Sequence, residues 1–219
     1  MGSLKRVNQT RGSDGPIMHN SIAGIILAGG RSSRMGQDKP LTPLAGKPMI
    51  AHVAERLRPQ VTALACSANG DLERLHFLDC PILPDSGATI GEDGPLAGIL
   101  AGMQWAQETG HSHIVTAPTD APFLPLDLVA RLQSANTQNH AALAISQTGP
   151  EPLFVLWPCS ALPVMTKRFA QGERGPRALL ELISYQRVDF DAPDDGPDPF
   201  FNVNRPDDLA AAEYWIKGW

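Results

Sequence analysis

Chemistry is concentrated in a few short segments of this chain of 219 residues. Residues 27–40 read LAGGRSSRMGQDKP, a glycine-rich loop with basic side chains at Arg31, Arg34 and Lys39. Glycines let backbone N–H groups approach an oxyanion closely, arginine adds a planar fork and lysine a point charge, so the loop is expected to cradle phosphate. Two other phosphate motifs are not met: GxGxxG is absent, and Gly46-Lys47 is followed by Pro48 and has Leu41 where a P-loop needs its first glycine. A second segment, Pro118-Thr119-Asp120-Ala121-Pro122, puts a carboxylate after an apolar run. Such an aspartate can hold Mg²⁺, which takes one or two protein carboxylates plus substrate phosphates, or can close an Asx-turn or cap a helix. Asp85 stands at a similar strand end, and GEDGPLAG over 91–98 opens a helix whose free N–H groups could meet a base edge or an anion.

These segments need a scaffold, and the apolar pattern supplies one. Short apolar runs at 22–27, 61–67, 81–83, 113–117, 141–146 and 153–157 read as strands, the first buried on both faces of a sheet. Helical spacing appears over 49–58, 94–108, 126–132, 162–170, 177–183 and 207–216. Alternating strands and helices predict a three-layer α/β fold with a mainly parallel central sheet, in which ligands bind at the carboxyl ends of the strands. Residues 21–219 read as a single domain. Residues 1–20 lack an apolar period and are expected to be a disordered extension, with Met18 as an alternative start.

Composition narrows the function classes. Eighteen basic against twenty-three acidic residues, a net charge of −5, disfavour a nucleic-acid partner. No window offers the run of about eighteen apolar residues a membrane helix needs, and the N-terminus lacks the apolar core of a secretory signal. Three cysteines without a CxxC pair fit a reducing compartment, so a cytoplasmic protein is expected. The histidines have no metal-ligand spacing and read as structural or surface residues.

Taken in order, LAGGRSSRMGQDKPL, GKPMI, Asn69 after the second strand, PDS at Asp85, GPLAG over 94–98, TDAP at Asp120 and FNVNRPDDL over 201–209 resemble the molybdenum cofactor guanylyltransferases. The resemblance runs from about residue 22 to 216; more widely it is to nucleotidyltransferases of Rossmann-like fold. It implies transfer of GMP from GTP to the terminal phosphate of molybdopterin, with or without molybdenum, giving the guanine dinucleotide and pyrophosphate. By the same resemblance Leu27, Ala28, Gly29, Lys39, Asn69, Asp85 and Asp120 bind GTP, and Asp120 binds Mg²⁺. Arg34, Lys39 and Mg²⁺ are expected to hold the pyrophosphate leaving group, since electrostatic clamping is the main tool of phosphate-transfer chemistry. Asn202 and Asn204 resemble residues near the pterin phosphate, although Asn204 could equally cap the last helix. The loop over 172–175, GERG, resembles a mixed-charge loop facing the acceptor. Transient contact with molybdoenzymes or their chaperones would suit delivery of a labile product.

Three rival readings compete. A cytidylyltransferase on the same pterin resembles LAAG in the first loop and lacks GPLAG, so Gly30 and Gly94-Pro95-Leu96 favour guanine, the small Gly30 leaving room for a purine. A sugar-1-phosphate nucleotidyltransferase would carry a GTRL-type loop. A non-catalytic carrier of nucleotide or cofactor would not need Arg34, Lys39 and Asp120 together.

Overall fold

The computed structural model describes residues 21–29, 38–84, 94–136 and 140–218. The predicted three-layer α/β architecture with a mainly parallel central sheet is observed. Strand β1 (Ile22–Leu27) is buried along its whole length. Its side chains alternate between two cores: Ile22 and Ile26 on one face, Ala23, Ile25 and Leu27 on the other. A sheet covered on both faces needs such a strand.

After β1 the chain forms a short hairpin, β2 (Pro43–Leu44) and β3 (Lys47–Pro48), then helix α1 (Met49–Leu57). Ile50, Val53 and Leu57 of α1 fill the first core. Strands β4 (Ala63–Ser67) and β5 (Ile82–Leu83) follow, joined by a 3-10 helix over Glu73–Leu78. Helix α2 (Gly94–Glu108) sends Leu96, Ile99, Leu100 and Met103 into the second core and leads to β6 (His113–Pro118). Helix α3 (Leu128–Ala135) joins the first core.

Strands β7 (Ala141–Ser146), β8 (Gly149–Pro158) and β9 (Tyr185–Asp189) complete a seven-stranded sheet of order β5-β4-β1-β6-β8-β7-β9. Helices α4 (Leu162–Ala170) and α5 (Pro176–Leu180) cover the second core through Met165, Leu179 and Leu180, and α6 (Pro206–Lys217) ends the chain.

The sheet is parallel from β5 to β6, antiparallel where β8 pairs with β6 and β7, and parallel again between β7 and β9. The run expected at 153–157 is the inner half of the longer β8. The chain leaves β1 toward β4 and β5, covered by α1 on one face. It returns to β6 on the other side of β1 behind α2, on the opposite face. The carboxyl ends of β1 and β6, where Leu27 sits opposite Pro118, therefore form the switch point at which open α/β sheets bind ligands. Among the described residues no helix is long and apolar enough to cross a membrane.

Candidate functional site at the switch point

Lys39 begins a 3-10 turn, Lys39–Leu41, in which Pro40 is buried and Leu41 N donates to Asp38 O at 2.9 Å. From this pinned turn its Nζ reaches Asp120 Oδ2 at 2.5 Å and donates to Asn204 Oδ1 at 2.6 Å. These partners lie 81 and 165 residues away in sequence. The Lys39 and Asp120 side chains are each about one-fifth exposed. The fold thus gathers a cation, a carboxylate and an amide from three segments beside the β1/β6 switch point.

Asp120 follows β6, and its backbone O accepts Val203 N at 2.8 Å, laying the Asn-Val-Asn segment along the end of the strand. Val203 is buried with Leu44, Met49 and Ala212, and the Phe123 and Phe201 rings pack with centroids 6.3 Å apart. With Val203 pointing in, its neighbours lie outward. Asn204 meets Lys39, while Asn202 Nδ2 donates to Phe200 O at 3.2 Å. The capping alternative for Asn204 is overturned. The N-cap of α6 is Arg205, and Asp208 Oδ2 in the first turn accepts both Asn204 N and Arg205 N at 2.8 Å. Asp120 likewise is engaged through its side chain with Lys39 and caps no helix; α3 begins after Asp127.

The remaining nucleotide candidates are spread along the same edge. Ala28 N donates to Ser67 O at 2.8 Å, extending the β1/β4 ladder to Ala28, next to Gly29. Asn69 follows β4 and is half-buried. Gly94 opens α2 at φ +63°, a backbone that favours glycine. A side chain there would stand 3.3 Å from Arg174 O, so the 172–175 loop packs against this helix start. Leu27 and Leu96 are core residues, 6% and 0% exposed, which leaves only their backbones for a ligand. Gly30, Arg34 and Asp85 lie outside the described residues, as do residues 1–20.

Sequence reading missed Arg74. In the 3-10 helix after β4, its Nε contacts Asp38 Oδ2 at 2.5 Å and its Nη2 donates to Asn69 O at 3.4 Å. Its only sequence signal is an arginine placed shortly after Asn69, and nothing local tells that it reaches Asp38. A cavity of about 600 Å³, lined in part by Arg56, Phe123, Leu126, Phe190 and Trp215, contains none of the predicted site residues. The Lys39 cluster is a polar, partly exposed site at the sheet end.

A Rossmann-like sheet with lysine, aspartate and asparagine meeting at its switch point defines an α/β nucleotidyltransferase. Residues 24–189 match the MobA-like NTP transferase domain. The chain is 42% identical to a molybdenum cofactor guanylyltransferase of Mesorhizobium japonicum, over 89% of this chain and 96% of the relative. It is 46% identical to that of Rhodobacter capsulatus, over 88% and 95%. The chain belongs to the molybdenum cofactor guanylyltransferase family. A crystal structure of molybdopterin-guanine dinucleotide biosynthesis protein A from Archaeoglobus fulgidus superposes with a TM-score of 0.71 at 24% identity, over 90% of this chain and all of that one, and shares the fold.

Proposed function

We propose that this enzyme transfers GMP from GTP to the terminal phosphate of molybdopterin, releasing pyrophosphate and forming molybdopterin guanine dinucleotide. The observation that carries the reading is the meeting of Lys39, Asp120 and Asn204, which joins the nucleotide loop to the acceptor segment in a chain of this family. GTP lies along the strand ends, in reach of Leu27, Ala28, Gly29, Asn69, Asp120 and the α2 start at Gly94, Pro95 and Leu96; Gly30 and Asp85 join the nucleotide residues by the family pattern alone. The first turn of a helix leaves N–H groups without helical partners, and those of α2, Pro95 having none, are the donors for a base edge or an anion.

Among the described residues no group of three or more His, Cys, Asp or Glu side chains is arranged to hold a metal. Mg²⁺ needs few protein ligands when nucleotide phosphates complete its shell, and Asp120, a partly buried carboxylate at the strand end, is the residue that would hold it. When bound, the ion neutralises phosphate charge during transfer. Lys39 and Arg34 stabilise the departing pyrophosphate electrostatically. Asn202 and Asn204 orient the acceptor, whose phosphate is already ionised near neutral pH. Positioning therefore matters more than removal of a proton. The three cysteines are unpaired, which suits a reducing cytoplasm.

The test is pyrophosphate release by the purified chain with Mg²⁺, with and without molybdopterin, comparing GTP, CTP and ATP. Pterin-dependent release with GTP alone is expected, and Asp120→Asn should lower kcat/KM by about 100-fold or more. Release with CTP alone would reassign the base, and a rate for Asp120→Asn close to wild type would remove that carboxylate from the site.

A further inference from the structure

We propose that Arg74 is a positioning residue for Lys39, acting through Asp38, and that it couples the phosphate-facing lysine to the Asn69 strand end. The inference rests on the guanylyltransferase reading of the same site. Arg74 stands on a fixed pedestal: Leu75 and Leu78 of its 3-10 helix are buried in the first core, and Arg58 Nη2 donates to Leu78 O. From there it holds the Asp38 carboxylate at 2.5 Å, directly before Lys39, and reaches the Asn69 carbonyl at 3.4 Å. The two side chains are only 21% and 33% exposed, so water screens the pair less than it would a surface one.

The third guanidinium nitrogen adds a cost to this arrangement. Arg74 Nη1 is buried and has no hydrogen-bond partner, and an unmet charged donor inside a protein is costly. That cost is offset by the Nε contact to Asp38 and the Nη2 bond to Asn69 O, which together hold the turn before Lys39 against the Asn69 strand end. Arg74 thereby fixes where the lysine charge stands without touching substrate.

The experiment uses the full chain with Arg74→Gln, Arg74→Lys, Asp38→Asn, Lys39→Ala and the Lys39→Ala/Arg74→Gln pair. Pyrophosphate release, GTP affinity by calorimetry and the melting midpoint are read for each. A misplacement of this kind predicts a loss of about 10- to 100-fold in kcat/KM for Arg74→Gln and Asp38→Asn, with Arg74→Lys between them and wild type. It also predicts that Arg74→Gln adds less than about threefold to the loss from Lys39→Ala, because both act through one lysine. Full multiplication of the two losses, or a wild-type rate in Arg74→Gln, would overturn the proposal. If Arg74→Gln melts early, Asp38→Asn, which keeps size and removes charge, decides in the same double variant. A wild-type chain that binds GTP but releases no pyrophosphate sinks the functional reading alone; the same non-additivity, read in GTP affinity, then decides Arg74.

Discussion

Asn204 shows how a residue's neighbours bear on what its side chain is free to do. An asparagine just before a helix can satisfy first-turn N–H groups, but the N-cap of α6 is Arg205, and Asp208 Oδ2 accepts Asn204 N and Arg205 N as the N3 half of a capping box does. The Asn204 side chain is thereby left to meet Lys39 Nζ. Substitution at the two positions should separate. Asn204→Ala is expected to keep its melting midpoint within about 1 °C, as surface substitutions away from caps do, while kcat/KM for the acceptor falls by about 10-fold or more. Asp208→Ala should lose about 0.5–2 kcal/mol of stability as a lost cap, read by urea unfolding. Equal destabilisation by both would return Asn204 to a structural role. Lys39 and Asp120 were legible from residue type and place in the chain, and Asn204 only through the family resemblance, with capping left open beside it. Their meeting was not, because it depends on a strand order that local pattern does not encode. Arg74 was hidden for the same reason: its partner Asp38 is distant in sequence and neither residue sits in an apolar period.

At the scale of elements, α2 is held against β1 by the absence of a side chain. A Cβ placed on Gly102 would stand 2.7 Å from Ile25 Cγ1 and 3.0 Å from two further Ile25 atoms. Ile25 is itself fully buried, so it has no free volume into which to retreat. Gly102→Ala gains helix propensity but must push α2 away from the sheet. The net outcome expected is a loss of about 1–3 kcal/mol in urea unfolding, the usual cost of overpacking. Because the same helix begins at Gly94, activity per folded molecule should fall as well; a stabilised Gly102→Ala would show that the contact is slack. The helix itself was plain in the sequence, since its apolar positions recur through Leu96, Leu100 and Met103. The strands beyond β6 were less so. A wholly buried apolar run such as the inner half of β8 carries no mark of its direction, so antiparallel pairing is invisible locally. β9, with the sequence YQRVD, is an edge strand whose first three residues are exposed, and it lacks the apolar alternation by which strands are recognised.

Across the whole molecule, the sheet separates two cores, and the cysteines report on them separately. Cys66 of β4 lies in the first core and Cys159, just after β8, in the second, while Cys80 is only half-buried. Burial pushes the Cys66 thiol up to about 12, with the nearby Cys80 adding to the rise, and pushes Cys159 up to about 11. Thiolate is the reactive form, so near pH 8 both buried thiols resist modification through low ionisation as well as shielding, and unfolding restores both reactivity and access. A thiol reagent should therefore label Cys80 first and reach Cys66 and Cys159 only through opening of their cores. We propose that residues 21–219 form one cooperative unit, because β1 and β6 are shared walls of both cores. Labelling rates followed by mass spectrometry across a urea series test this. Equal opening free energies and equal urea slopes for Cys66 and Cys159 are expected, since both would then report the same global unfolding. A lower opening free energy at Cys159 alone would mean that the antiparallel β8 margin, with its α4 and α5 cover, opens independently of the switch-point half.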